Sequence, residues 1–98
     1  MNKNQVMAIL GENTGKIRDF HVRALYLFGS VVRGEATETS DVDILVEFDP
    51  DAHIGLFDFA RLQNMLSDLL GCRVDMATPD ALHPALKDRI LKEAVHAV

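Results

Sequence analysis

Two aspartates one residue apart, Asp41 and Asp43, stand at the head of the apolar run Ile44-Leu45-Val46. A Gly29-Ser30 pair precedes them, at the end of another apolar run, Leu25-Tyr26-Leu27-Phe28. Side chains alternate along a strand, so Asp41 and Asp43 are expected on one face, with Val42, Ile44, Val46 and Phe48 on the other. Two carboxylates this close repel, and without a cation one should titrate high. A divalent ion removes the conflict. Hard oxygen donors with no His or Cys beside them suit Mg2+, with Mn2+ as a substitute. Asp75 is the sole acid in Cys72-Arg73-Val74-Asp75-Met76. A sheet that set it beside Asp41 and Asp43 would give three carboxylates, enough for two metals about 3.5–4 Å apart. Asp75 could also accept the proton of an attacking hydroxyl.

The Gly-Ser pair supplies the other half of the chemistry. Gly29 falls where a strand ends and lets another group approach the backbone closely. Ser30 would offer a hydroxyl and an N–H to an anion at the start of a short helical turn. Arg33 could add positive charge to the same anion. A phosphate cradle beside a metal clamp points to phosphoryl or nucleotidyl transfer. Plainer roles exist for each residue: Ser30 as a helix cap, Arg33 as a solvated cation, Asp41 as a turn residue, Asp75 as a partner of Arg73. Asp43 is harder to explain that way, because it abuts a buried run where a bare charge is costly. Glu35 and Glu38 are expected to face solvent between the two halves.

The elements that must position these groups read as α/β. At 98 residues the chain makes one domain, residues 1–98. Residues 3 to 19 show helical periodicity, with a break expected near Asn13-Thr14-Gly15. Strands are predicted at 23 to 28, 42 to 48 and 72 to 77, with a turn or short helix at 30 to 35. A helix at 56 to 70 places Phe59, Leu62, Leu66 and Leu69 on one face, and Gly71 suits its stop. Pro84 opens a last helix whose core face is Leu86, Ile90, Ala94 and Val98. Three strands with flanking helices result.

Composition narrows the function classes. The net charge of -5 argues against a dedicated nucleic-acid binder. A nucleotide remains compatible, since a bound metal supplies positive charge. Cys72 is the only cysteine, so there is no internal disulfide and no thiolate metal site, and a reducing compartment fits. No apolar run approaches the roughly 20 residues of a membrane span. The N-terminus lacks an apolar signal core, so a cytoplasmic location is expected. His21, His53, His83 and His96 have no metal-ligand spacing and read as surface or cap residues.

The stretch Leu25 to Phe48 resembles the signature of the nucleotidyltransferase superfamily that includes DNA polymerase beta. Gly29, Ser30, Asp41, Asp43 and Asp75 match its Gly-Ser, Asp-x-Asp and later Asp. Arg33-Gly34-Glu35-Ala36 and Ser40 match the commonest form in small bacterial and archaeal members, and Leu69-Leu70-Gly71, Val74-Asp75 and Thr78-Pro79 are similar too. The chain is most similar to the minimal nucleotidyltransferases often encoded beside a HEPN-domain protein. The resemblance implies an α+β core with a small mixed sheet, ATP and Mg2+ as reagents, and Gly29, Ser30, Arg33 and Ser40 around the nucleotide. It implies AMP transfer to a tyrosine of a HEPN-type toxin, the chain acting as antitoxin in a complex with it. The short chain supplies little acceptor-binding surface, so that surface is expected from a partner, a second copy or another chain, which favours a protein acceptor bound in a complex. Two other readings are a non-catalytic module that inhibits by stoichiometric association, and a transferase subunit acting on a small molecule or an RNA end.

Overall fold

The apolar run before Gly29 becomes an inner strand of a four-stranded mixed sheet. In chain order the strands are β1 (Val22–Phe28), β2 (Val42–Phe48), β3 (Val74–Ala77) and β4 (Val95–His96). β1 pairs antiparallel with both β2 and β4, and β2 pairs in parallel with β3, giving the order β3-β2-β1-β4. Helices α1 (Lys3–Glu12), α2 (Thr14–Arg18), α3 (Ser30–Arg33), α4 (Leu56–Leu70) and α5 (Pro84–Glu93) flank the sheet, with a 3-10 turn at Pro79–Ala81. The computed structural model describes residues 1–37 and 39–98, so the expectation for Glu38 lies outside the described residues.

The sheet has two unlike faces. On one, Leu25, Leu27, Ile44, Val46, Val74 and Met76 are buried in a single cluster with Val6 and Leu10 of α1, Ile17 of α2, and Leu62, Leu66 and Leu70 of α4. Cross-strand partners project to the same side. The pairs Phe28 with Asp43, Tyr26 with Leu45, and Asp43 with Asp75 therefore share the opposite face. Leu45 is buried there too, while Tyr26, Phe28, Asp43 and Glu47 are half-buried and Asp75 is exposed. An irregularity at Arg23 shifts the β1 register between Val22 and Ala24. It keeps Val22 in the core and Arg23 in solvent, and so explains two consecutive buried residues, Ala24 and Leu25.

The first helical stretch divides at Asn13, as its composition suggested. Asn13 Nδ2 donates to the Ile9 carbonyl at 2.8 Å, and its backbone N–H donates to Leu10. The side chain thus satisfies a helix-end carbonyl and lets the chain restart as α2. Gly71 ends α4 at φ 68, the left-handed stop. The α4 core stripe ends on Leu70 instead of Leu69, a strict i, i+4, i+8 series from Leu62. The third strand starts at Val74, two residues later than expected.

The C-terminal segment corrects the sequence reading. α5 stops at Glu93, and Ala94 takes an extended conformation. Ala94 and Val98 therefore do not continue a helix face, and no residue of α5 is buried; Leu86 is 49% exposed. The chain instead runs along the free edge of β1, where Leu25 N–H donates to Val98 and Leu25 carbonyl accepts from Ala97. Unpaired edge groups of an inner apolar strand need partners, and that requirement outweighs the helical periodicity. Two predictions separate these helices. Leu66→Ala should lower the unfolding free energy by about 2–5 kcal/mol. Leu86→Ala should cost under about 1 kcal/mol, both read from urea melts.

Candidate active site

Gly29 closes β1 in a conformation, φ 76 and ψ -151, that only glycine adopts readily. Its neighbour leaves no room for a side chain. A Cβ at Gly29 would overlap the Asp43 Oδ2 and lie 3.0 Å from the Asp43 Cγ. The Gly29 backbone therefore rests on the Asp43 carboxylate. Val32 and Arg33 N–H groups donate to the Gly29 carbonyl at 3.1 and 3.2 Å, winding the four-residue α3. Gly34, at φ 74, ends it. Ser30 is the first residue of that turn and is half-buried.

The sheet register brings two of the predicted acids together. Asp43 on β2 faces Asp75 on β3 as a direct cross-strand partner. Partial burial pushes the Asp43 carboxyl above the usual carboxylate range; the charges of Asp75 and Asp41 push the same way, and Arg33 opposes them. Asp41 precedes β2, and its Oδ1 lies 3.8 Å from Arg73 Nε. The plainer role foreseen for Asp75, pairing with Arg73, is thus taken by Asp41, loosely, since the Arg73 side chain is 89% exposed. Among the described residues no three His, Cys, Asp or Glu side chains already converge on a metal-ligand cluster. The donor set nonetheless fits a hard divalent cation: carboxylate oxygens only, two of them aligned by register, one carrying unrelieved like charge.

Ser40 and Arg33 occupy different positions from the cradle backbone. Ser40 Oγ accepts from the Thr37 N–H at 2.9 Å and lies 3.1 Å from Thr37 Oγ1, so it folds the loop that delivers Asp41. Arg33 donates to Glu93 Oε1 at 2.7 Å and to Glu35 Oε2 at 3.2 Å. Glu35 is exposed, as expected, yet held by this contact. Glu93 Oε2 accepts from the Gly29 N–H at 3.3 Å. The Arg33 guanidinium holds the Glu93 carboxyl below the usual range, and the Gly29 N–H adds to this against partial desolvation. Glu93 is the residue that sequence reasoning missed. Its one signal is an acid at a helix C-terminus, where the dipole disfavours it unless it is paired. A cleft of about 510 Å³ between the α1 N-terminus and α3 holds none of the three aspartates. The acids lie on the open sheet face instead.

Asp43 makes a signed prediction. Its pKa is raised in the folded chain, so folding favours the protonated acid, and stability falls as pH rises through the unfolded value toward the folded one. In a metal chelator, Asp43→Asn should raise the melting temperature at neutral pH and flatten that decline, read by thermal melts from about pH 4 to pH 8. Gly29→Ala should cost about 1–3 kcal/mol in urea melts through backbone strain alone, more with the overlap on Asp43.

Comparison with known proteins places this geometry in a family. The nucleotidyltransferase domain model matches residues 12–96. A candidate protein adenylyltransferase of Methanocaldococcus jannaschii is 50% identical over 74 residues, 76% of this chain and 77% of the relative. The protein adenylyltransferase MntA of Thermococcus cleftensis is 40% identical over 93 residues, 94% of this chain and 92% of the relative. A solved structure of a candidate minimal nucleotidyltransferase superposes with a TM-score of 0.81 at 37% identity, covering 97% of this chain and 95% of that one. The fold also recurs, at 19% identity and a TM-score of 0.65, in a Shewanella oneidensis complex of a tri-AMPylated HEPN toxin with an MNT antitoxin, covering 94% of this chain and 71% of that one. Matched along most of its length by family model, relatives and fold alike, the chain belongs to the nucleotidyltransferase domain family and is a minimal nucleotidyltransferase.

Proposed function

We propose that this nucleotidyltransferase, acting as a single domain in the cytoplasm, moves AMP from ATP to a tyrosine hydroxyl of a HEPN-type toxin and serves as its antitoxin within a complex of the two. The observation that carries the reading is the Gly29 backbone resting on Asp43, with Asp75 in register beside it. A phosphate cradle and paired carboxylates then meet at one end of the sheet. Relatives named protein adenylyltransferase support the reaction class. The AMPylated HEPN toxin in the Shewanella complex supports the acceptor.

Each group has a role. Ser30 and the backbone at Gly29 hold the triphosphate, with Arg33 adding charge. Asp41, Asp43 and Asp75 would hold Mg2+. Bound there, the metal would neutralise phosphate charge and stabilise the charge that develops on the transferred phosphoryl group. A tyrosine hydroxyl, with a pKa of about 10, needs its proton removed as it attacks. Asp75, which is exposed, accepts it in this reading. The tyrosine oxygen bonds to the α-phosphorus, the bond to the β-phosphate bridge breaks, and pyrophosphate leaves. Ser40 shapes the loop that presents Asp41.

A second reading rests on a separate feature. Leu56 and Phe57, at the start of α4, are 81% and 83% exposed, an apolar pair that favours partner binding. Inhibition by association alone would use that surface and not the acids. One experiment separates the two. The protein, ATP and Mg2+ are incubated with the product of the neighbouring gene, and intact mass and ribonuclease activity are followed. Wild type should add AMP, and Asp43→Ala should slow the addition at least about 100-fold, the loss of several kcal/mol of charge stabilisation. An Asp41→Ala/Asp43→Ala protein that silences the toxin as well as wild type would overturn the catalytic reading in favour of association.

A further inference from the structure

Glu93 occupies two hydrogen-bond donors beside Ser30. It is the last residue of α5, a poor place for a carboxylate on dipole grounds. Its two oxygens nevertheless take two donors from the cradle: the Arg33 guanidinium at 2.7 Å and the Gly29 N–H at 3.3 Å. A guanidinium with a backbone N–H is a donor set suited to phosphate as much as to carboxylate. The Glu93 side chain is 19% exposed, against 62% for Glu35, the other acid on Arg33. Glu93 is therefore the more enclosed of the two partners.

The same carboxylate would repel a triphosphate brought to Gly29 and Ser30. Arg33 and the Gly29 N–H cannot serve Glu93 and a phosphate group equally well at once. α5 has no buried residue, so its end can move away from the cradle without opening the core, and a cleft of about 280 Å³ lies between the two.

We propose that Glu93 is a resident anion of the cradle, exchanged for a nucleotide phosphate on binding, so that it sets nucleotide affinity and assists the departure of pyrophosphate. The inference rests on the assignment of Gly29 and Ser30 as the nucleotide site. Glu93 acts by competing for donors and touches no reacting atom.

The sign of one affinity change tests it. The full chain is titrated with Mg2+ and an ATP analogue whose α–β bridge is methylene, which blocks AMP transfer. Glu93→Gln should bind about three- to tenfold more tightly, because the binding-competent state no longer competes with the internal ion pair. It should also be inhibited more strongly by pyrophosphate. Arg33→Gln should bind more weakly, and Glu93→Gln should gain less in that background, as a shared network requires. A folding defect would weaken binding, the opposite sign, and melting curves of each variant identify it. Ser30→Ala and Asp43→Ala test the site itself. If neither weakens binding, the site assignment fails and the exchange with it. If both weaken binding while Glu93→Gln binds no tighter than wild type, the site stands, Glu93 merely supports Arg33, and the proposal is overturned.

Discussion

The contact between the Gly29 backbone and the Asp43 carboxylate constrains everything around it. Asp43 can lie against Gly29 only because no Cβ intervenes, and Gly29 can turn only because its φ of 76 is open to glycine. The antiparallel register of β1 and β2, with Phe28 opposite Asp43, follows the same requirement. Slipping either strand by one residue would turn Asp43 into the apolar cluster and expose Ile44. The site and the core are thus specified by one pairing.

Charge is concentrated on the face that the helices leave open. Asp43 and Asp75 are neighbours by register, and Asp43 is partly desolvated as well. Such an arrangement is unfavourable without a cation and persists because the hydrophobic face beneath it is well packed. Leu25, Leu27, Ile44 and Val46 are fully buried on the far side of the same strands. The apolar layer holds the strands whose other edge carries the like charges.

The cationic side of the site is equally constrained. Arg33 is already engaged by Glu93 and Glu35, and Asp41 lies near Arg73. Arg33 and Asp41 are thus not free groups: each already has a partner of opposite charge. The two elements at the margin, α5 and the turn α3, carry the two partners of the Arg33–Glu93 pair.

Local chemistry in the sequence was enough to determine the Gly29-Ser30 turn, the strands on either side of it, and the place of Asp43 on the face opposite the core. Those features depend on residue type and short spacing: a glycine for a closed approach, a period of two for a shared face, and an apolar run for a buried strand. The break at Asn13 and the stop at Gly71 were legible for the same reason. Tertiary structure alone decided the rest. Asp75 meets Asp43 because β3 pairs in parallel with β2, a register no local pattern encodes. The tail after Glu93 became a strand because the β1 edge lacked partners, although its apolar spacing is helical. Glu93 reached the cradle from 64 residues away through the packing of α5 beside Gly29, a juxtaposition that exists only once the chain has folded.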